Sequence, residues 1–256
     1  MKKKRLFLLL LVSFFVIIFI GCNNKLVVNG VKIEKYQIHT ELQDKFLEGD
    51  YNLISSIATG SEELSYPLPV VLKLNKLSEY KENNLYQILL SNDYSFADSK
   101  IYTTKENELE VYNLKINIVY YWKVISSNNE SKIFGFMIES VGPRNIYIDG
   151  ITNARDLGGW NCNDGKVVKQ GMIFRTSKFN EDESTNILIT EKGIKMLVEE
   201  LKVKSELDVR DIDDNENGGI TTSPLGDEIN YFPVTMKSGG NYLTLNKGRL
   251  KDVFAV

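Results

Sequence analysis

The chain is poor in the residues that build disulfide frameworks and most metal sites. Its 256 residues include only two cysteines, Cys22 and Cys162, and one histidine, His39. Two cysteines allow one intramolecular disulfide at most, so packing must provide most of the stability. His39 lies far upstream of the C-terminal half of the chain, where the motifs that suggest chemistry are found, and we expect it at the surface. The 13 Tyr and 12 Phe, by contrast, provide ample apolar material for folded cores.

Clustered positive charge is missing except at the N-terminus. The formal net charge is -3, and residues 1–21 hold four basic residues and no acidic one, so their removal would lower it by four units. Nucleic-acid phosphates bind clustered Lys and Arg. No basic stripe with interleaved aromatic residues follows the N-terminal segment. The composition therefore argues against a nucleic acid as partner.

The first 22 residues have the pattern of an export signal. A basic head over residues 1–5 precedes an apolar run over 6–20. This run of about 15 residues is short for a spanning helix, which needs about 20. Residues 19–22 (F-I-G-C) resemble a bacterial lipobox, in which the cysteine becomes the acylated N-terminus. The resemblance implies a signal peptide over 1–21 and lipid attachment at Cys22.

That attachment predicts a chain outside the cytoplasm, anchored to a bacterial membrane by its lipid. Acylation of Cys22 would leave Cys162 as the only other cysteine, with no intramolecular disulfide. The alternative is an uncleaved anchor helix with an incidental cysteine. Both interpretations place the rest of the chain on the outer side of the cytoplasmic membrane.

Residues 22–142 divide into a polar leader and a region of short strands. The leader over 22–61 predicts a tether, with some helical patterning near Leu42. Residues 62–142 contain short alternating or β-branched runs separated by turn residues, a pattern typical of a β-sandwich. The predicted strands are 70–74, 85–90, 100–104, 109–112, 119–125 and 133–138.

Part of this region resembles fibronectin type III domains. In that family a Leu near the end of one strand is followed six residues later by a Tyr whose hydroxyl turns back onto the backbone. Leu114 and Tyr120 have this spacing, and residues 91–97 are similar to the loop after the third strand. The resemblance implies a spacer or binding module, as would a sandwich of another family.

Residues 143–256 follow a different pattern, which begins after the break at Gly142 and Pro143. A strand over 171–177, a helix capped by Thr190 and a strand over 205–210 are predicted in turn. Strand, helix and strand in this order favour an α/β domain with a parallel sheet. One face of the predicted helix carries Ile194, Leu197, Val198 and Leu201.

Three motifs in this region resemble a known family. They are residues 153–159 (N-A-R-D-L-G-G), residues 174–177 (F-R-T-S) after Gly171, and residues 208–210 (D-V-R) with Glu216. In this order they are similar to the N-F-R-D-L-G-G, R-S and D-L-R segments of bacterial tyrosine phosphatases of the dual-specificity-like group. Ala154, Thr176 and Val209 depart from that pattern.

The resemblance implies a cysteine-dependent phosphomonoesterase that needs no metal or other cofactor. Such enzymes hold a thiolate nucleophile in a Cys-x5-Arg loop, whose backbone N–H groups and Arg bind the phosphate. The matching motifs give four candidates for support of the phosphate site: Arg155, Asp156, Asp208 and Arg210. Each pair has a structural alternative, since the first two would pin the double-glycine turn and the last two would form an ion pair at a strand end.

No Cys-x5-Arg loop is present in the 256 residues. Six positions after Cys162 stands Val168, and Cys22 belongs to the lipobox pattern. In the family the loop follows the D-L-R strand after one more helix and strand, and residues 250–254 have the spacing of that helix. The expectation is a domain cut short before its nucleophile, with no catalytic residue of its own.

Two functions are compatible with these features. The first is a surface lipoprotein related to tyrosine phosphatases, inactive in this form, which would meet a phosphorylated substrate only if a longer form exists. The alternative is a non-catalytic surface lipoprotein whose β-sandwich binds a partner. The acidic run 211–216 has Glu216 where a calcium loop requires Gly, so we expect a solvated loop and no metal site.

Overall fold

The computed structural model describes eight stretches of the chain, which form two compact units. The described residues are 26–47, 65–77, 80–82, 84–126, 129–140, 142–179, 189–209 and 222–234. Predictions for the signal peptide, Cys22, Arg210, Glu216 and residues 250–254 lie outside these stretches. Within them, no helix is both long enough and apolar enough to cross a membrane.

The first unit contains the described parts of residues 26–36, 72–109 and 117–139. The strands up to residue 139 are β1 (Val27–Val28), β2 (Val31–Tyr36), β3 (Val70–Lys73), β4 (Tyr86–Ser91), β5 (Lys100–Thr104), β6 (Glu108–Val111), β7 (Val119–Ser126), β8 (Asn129–Glu130) and β9 (Phe134–Ile138). Seven of them form one sheet in the order β1-β2-β9-β7-β4-β5, with β8 paired to β7. Only β2 and β9 run parallel in it, and β3 pairs with β6 in a separate sheet.

All six strands predicted between residues 62 and 142 are present, and their ends agree to within one residue. Alternation explains this success, because β4 buries Tyr86, Ile88 and Leu90 and exposes Gln87 between them. The region is therefore rich in sheet, as predicted. A fibronectin-type sandwich remains a prediction, as does the hydroxyl bond of Tyr120, whose ring stacks on Phe136 at 5.5 Å.

The predicted tether over 22–61 contains a strand of the main sheet. Strand β2 buries Ile33, which belongs to a small core with Phe96 and Tyr121. The alternation of apolar and polar residues in β2 is too short to predict a strand without other information. Pairing with β9, which lies about 100 residues later in the chain, completes its backbone hydrogen bonds. A seven-residue helix, α1 (Glu41–Leu47), follows in the second unit, near the predicted helical patterning.

The second unit contains the described parts of residues 37–71, 110–116 and 140–234. Its remaining strands are β10 (Arg144–Asn145), β11 (Arg155–Asp156), β12 (Phe174–Arg175), β13 (Ser205–Asp208) and β14 (Asn230–Pro233). Strands β10, β11 and β12 form an antiparallel sheet, whereas β13 and β14 pair in parallel. The expected parallel sheet is thus represented, among the described residues, by one pair of strands.

The helix between β12 and β13 begins where the sequence predicts. Helix α2 (Glu191–Lys195) continues into a π-helical turn over Met196–Glu200. Its N-cap is Thr190, whose side chain accepts a hydrogen bond from the Gly193 backbone N–H at 3.0 Å. All four residues predicted on one face, Ile194, Leu197, Val198 and Leu201, pack in a core with Ile146, Ile148, Ile151 and Ala154.

The expectation of a surface position for His39 is wrong. The residue is 3% exposed, and its Nδ1 lies 3.3 Å from the Ser140 hydroxyl and 3.4 Å from an Asp44 carboxylate oxygen. Its Nε2 is buried with no hydrogen-bond partner among the described residues. The neighbour Ile38 is also buried, so the chain between β2 and α1 turns inward here rather than running across the surface.

Candidate functional site

The first motif contributes Asp156 to a fully buried ion pair. The backbone register sets Asp156 on β11 opposite Arg144 on β10. The guanidinium donates from Nε and Nη2 to one carboxylate oxygen of Asp156 at 3.1 and 2.9 Å. Arg144 is 1% exposed and Asp156 is not exposed at all. Removal of either partner would break this buried ion pair.

Asp156 also holds the double-glycine turn of the motif. One carboxylate oxygen accepts from the Gly158 backbone N–H at 2.9 Å, and the other accepts from the Gly171 N–H at 2.7 Å. Arg144 in turn donates from Nη1 to the backbone carbonyls of Asn113 and Leu114 at 2.7 and 2.8 Å. The carboxylate therefore ties three segments together. This geometry favours the structural alternative for Asp156.

The two glycines of the motif are required by close packing and by backbone conformation. A Cβ on Gly158 would overlap the backbone of Lys169 and Gln170. Gly159 has a φ of +93°, a region that residues with a Cβ rarely adopt. The tight approach of the two segments thus explains why this motif carries a Gly-Gly pair.

Arg155 lies on the opposite face of the same short sheet. Its partners across the strands are Asn145 on β10 and Arg175 on β12. Asn145 is buried, Arg155 is half-buried and Arg175 is exposed, so exposure rises from β10 to β12. Burial lowers the pKa of Arg155 from its ordinary value, and the positive charge of Arg175 lowers it further. The first two motifs therefore place two guanidinium groups side by side.

The third motif lies on the separate parallel pair of strands. Asp208 is half-buried at the end of β13, and its carboxylate accepts a hydrogen bond from the Tyr231 hydroxyl at 2.7 Å. The predicted ion pair with Arg210 lies outside the described residues. Leu207 and its cross-strand partner Phe232 are 50% and 53% exposed. The structure thus brings the first two motifs into one sheet and places the third in another.

Some important residues carried no usable signal in the sequence. Arg144 and Asp156 are separated by 12 positions, and nothing in the spacing identifies them as partners. The same holds for Asp149, which accepts from the Thr190 and Tyr147 hydroxyls at 2.7 and 2.8 Å. The bond from Thr190 is the main cause that lowers the pKa of Asp149. Only the packed fold brings these groups together.

Comparison with known proteins finds a family match within the second unit. Residues 146–252 match the tyrosine phosphatase family. The match spans all three motifs and the helix between the second and the third. No curated protein and no solved structure matches the chain. This match suggests a phosphatase-related function for residues 146–252.

Proposed function

We propose that the chain is an exported lipoprotein of a bacterial membrane, related to the protein-tyrosine phosphatases and anchored through acylated Cys22. The observation that carries the proposal is the family match over residues 146–252, which contains the three motifs in their expected order. The basic head, apolar run and F-I-G-C segment support export and lipid attachment. The acidic net charge supports a partner other than nucleic acid.

Four residues support the phosphate site in this proposal. Arg155 presents a guanidinium on the outer face of the three-stranded sheet. Asp156 has an indirect role, because its carboxylate fixes the backbone turn at Gly158. Asp208 ends β13, and it would order the loop that receives the phosphate together with Arg210, which lies outside the described residues. Contact with the substrate is therefore proposed for Arg155 alone among the described members.

These 256 residues do not themselves hydrolyse phosphate esters in this proposal. A cysteine phosphatase needs a thiolate followed after five residues by an arginine, and neither cysteine has that neighbour. Cys162 is an exposed free thiol in a hairpin turn, where its backbone N–H donates to the Lys166 carbonyl at 2.7 Å. Its neighbouring amides are thus used within the turn instead of facing a phosphate.

A turnover assay tests the proposal. The full chain, purified in detergent, is incubated with a phosphotyrosine peptide, with a Cys162→Ser variant as the matched control. We expect no release of phosphate from either protein. Thiol-dependent release that disappears in Cys162→Ser would overturn the inactive assignment. Sequencing the gene beyond the Val256 codon complements the assay, since an in-frame Cys-x5-Arg segment would make the longer chain the active form.

The first unit favours a second candidate function, a surface-binding lipoprotein without catalysis. Among the described strands, its seven-stranded sheet ends at β5, where Ile101 is 60% exposed. Exposed strand edges offer unpaired backbone groups to a partner chain. A direct test is to compare partner capture by the full chain and by Ile101→Lys. Equal capture by both proteins would count against binding at this edge.

A further inference from the structure

The segment that joins β11 to β12 is a hairpin over residues 157–173. Its backbone continues the pairing of these two strands, because the Leu157 N–H donates to the Ile173 carbonyl at 2.9 Å. Nearer the tip, the Val168 N–H donates to the Trp160 carbonyl, also at 2.9 Å. The 157–173 hairpin is therefore a regular extension of the three-stranded sheet.

The outer half of this hairpin projects from the second unit. Every residue from 160 to 169 is exposed, including Trp160, Val167 and Val168. Consecutive side chains of paired extended segments point to opposite faces, so the two valines lie on different faces of the hairpin. Both faces of its outer half are therefore open to a partner.

Large apolar side chains make up much of the exposed surface of the hairpin. Three more of them, Leu157, Met172 and Ile173, are exposed at its base, in addition to the three near its tip. Single exposed apolar residues are normal on a soluble protein, and they need no explanation. Six of them within one short hairpin mark an interaction surface instead.

The composition of the hairpin favours a bilayer surface as the partner. Trp is enriched where membrane meets water, because its ring is apolar and its indole N–H is polar. Two lysines, Lys166 and Lys169, and one acidic residue, Asp164, give the hairpin a net charge of +1 in a chain whose net charge is -3. Anionic lipids attract such basic residues. A symmetric dimer through the same hairpin would bring the lysines of two copies together, which disfavours a second copy.

We propose that the 157–173 hairpin lies against the bilayer surface, with Trp160 at the level of the lipid headgroups. The aliphatic side chains of the hairpin reach the upper part of the acyl chains, and the lysine side chains extend back to the headgroups. The proposal rests on the proposed lipid anchor only for the presence of a bilayer beside the chain. An anchor at Cys22 limits the distance of the second unit from the membrane, whereas the hairpin contact also fixes its orientation.

Quenching of tryptophan fluorescence by brominated lipids tests the contact. The chain has two tryptophans, of which Trp122 is buried and Trp160 is exposed. The full chain is reconstituted into vesicles of phosphatidylcholine and phosphatidylglycerol, with or without bromine near the headgroup end of the acyl chains. We expect the bromine to quench the emission of the wild type. We expect no quenching in Trp160→Phe, in which Trp122 is the only tryptophan left.

Two matched substitutions test whether the apolar side chains make the contact. Val167→Asp adds a charge to the hairpin, and the control Leu85→Asp adds the same charge to an aliphatic residue of the first unit. The two side chains are similarly exposed, at 54% and 57%. Val167→Asp should remove most of the quenching, whereas Leu85→Asp should keep the value of the wild type. No quenching in the wild type, or equal quenching in the two Asp variants, overturns the contact.

Flotation of the same vesicles separates this contact from the lipid anchor. A wild type that floats with the vesicles but is not quenched contradicts the hairpin contact alone. A wild type that does not float contradicts the anchor as well as the contact. Trp160 emission that shifts with protein concentration in detergent, without quenching in vesicles, identifies a second copy as the partner and overturns the bilayer contact.

Discussion

The Asp156 carboxylate carries the largest expected effect of a single substitution. Asp156→Asn keeps the shape but removes the carboxylate charge that Arg144 faces and replaces an acceptor at Gly158 or Gly171 by a donor. Breaking a buried ion pair in this way costs about 3–5 kcal/mol. Urea unfolding followed by circular dichroism measures the difference. Asp164→Asn, at a side chain that is 54% exposed, is the control and should change stability by less than about 0.5 kcal/mol.

A double variant separates the ion pair from the rest of the packing. Arg144→Met with Asp156→Leu removes both charges together, so it should lose less stability than Asp156→Asn, since no guanidinium stays buried beside a neutral side chain. In the double variant the backbone N–H groups of Gly158 and Gly171 would still lose the carboxylate that accepts their hydrogen bonds. This loss sets a lower limit to the decrease in stability. If Asp156→Asn is no worse than the exposed control, the support role is wrong.

His39 makes the stability of the second unit depend on pH. Burial lowers the pKa of His39, and the carboxylate of Asp44 opposes only part of that shift. The unfolded chain therefore takes up the proton at a higher pH than the folded chain. The stabilisation is complete above the unfolded pKa of about 6.5 and is lost as the pH falls through the folded value. Melting temperatures between about pH 7.5 and 5 should fall more for the wild type than for His39→Asn.

Protonation of His39 is unfavourable in the folded chain because its Nε2 is buried. Among the described residues, no acceptor is placed to take a hydrogen bond from a proton on this nitrogen. Equal slopes for wild type and variant would show that His39 is protonated equally well in both states. The sequence could not have predicted this behaviour. A lone histidine beside Ile38 gives no sign of burial, because its surroundings come from Ser140, about 100 residues later in the chain.

Prediction at the level of single residues succeeded where a local pattern exists. The sequence suggested that Arg155 and Asp156 pin the Gly-Gly turn, and the structure shows a hydrogen bond to the turn from Asp156. The assignment of Arg144 as its partner required the register of β10 and β11. The cross-strand pair of Arg155 and Arg175 likewise depends on a pairing that the separation of the two motifs does not encode.

Helix α2 provides a prediction at the level of the element. Alanine usually stabilises a helix interior relative to glycine, by about 1 kcal/mol. At Gly193, however, a Cβ would overlap the backbone carbonyl oxygen of Asp149. Gly193→Ala should therefore destabilise the chain by about 1–3 kcal/mol, as expected for overpacking. The control is Lys195→Ala at an exposed position of the same helix, which should be nearly neutral.

Thermal unfolding of the two variants decides between propensity and packing. A Gly193→Ala variant more stable than wild type would mean that the segment at Asp149 can move away from the helix. Such movement would also loosen the hydrogen bond from the Thr190 hydroxyl to the Asp149 carboxylate, which is 2.7 Å in the structure. The position of Thr190 at the helix N-cap and the close approach of Gly193 to Asp149 therefore depend on each other.

Secondary structure was predictable where one face of an element is buried. Strands β4 and β7 and the apolar face of helix α2 follow from their own periodicity. Strand β2 escaped prediction because it has only a short alternation and pairs with a distant strand. Strands β10, β11 and β12 are two residues each, so no periodicity exists to detect, and long-range pairing alone defines them.

For the whole molecule, the family motifs carried more information than composition or periodicity. Three short segments led to the tyrosine phosphatase family, which residues 146–252 match. They did so without predicting the antiparallel sheet that holds the first two motifs. Sequence motifs identify the residues that a site needs. They do not identify the pairing of β10 with β11, because this pairing depends on contacts between segments that are distant in the sequence.

The lipid anchor is the prediction that concerns the whole molecule. Acyl chains hold a protein to a bilayer by burying methylene groups, at about 0.8 kcal/mol each, so two or more chains anchor it stably. The full chain, expressed in bacteria fed a labelled fatty acid, should incorporate the label and fractionate with membranes. Cys22→Ser should incorporate no label. Cys162 is an exposed free thiol, and the control variant Cys162→Ser should incorporate as much label as the wild type. Label that is retained in Cys22→Ser would exclude this attachment site, and membrane association without label would favour the uncleaved anchor helix.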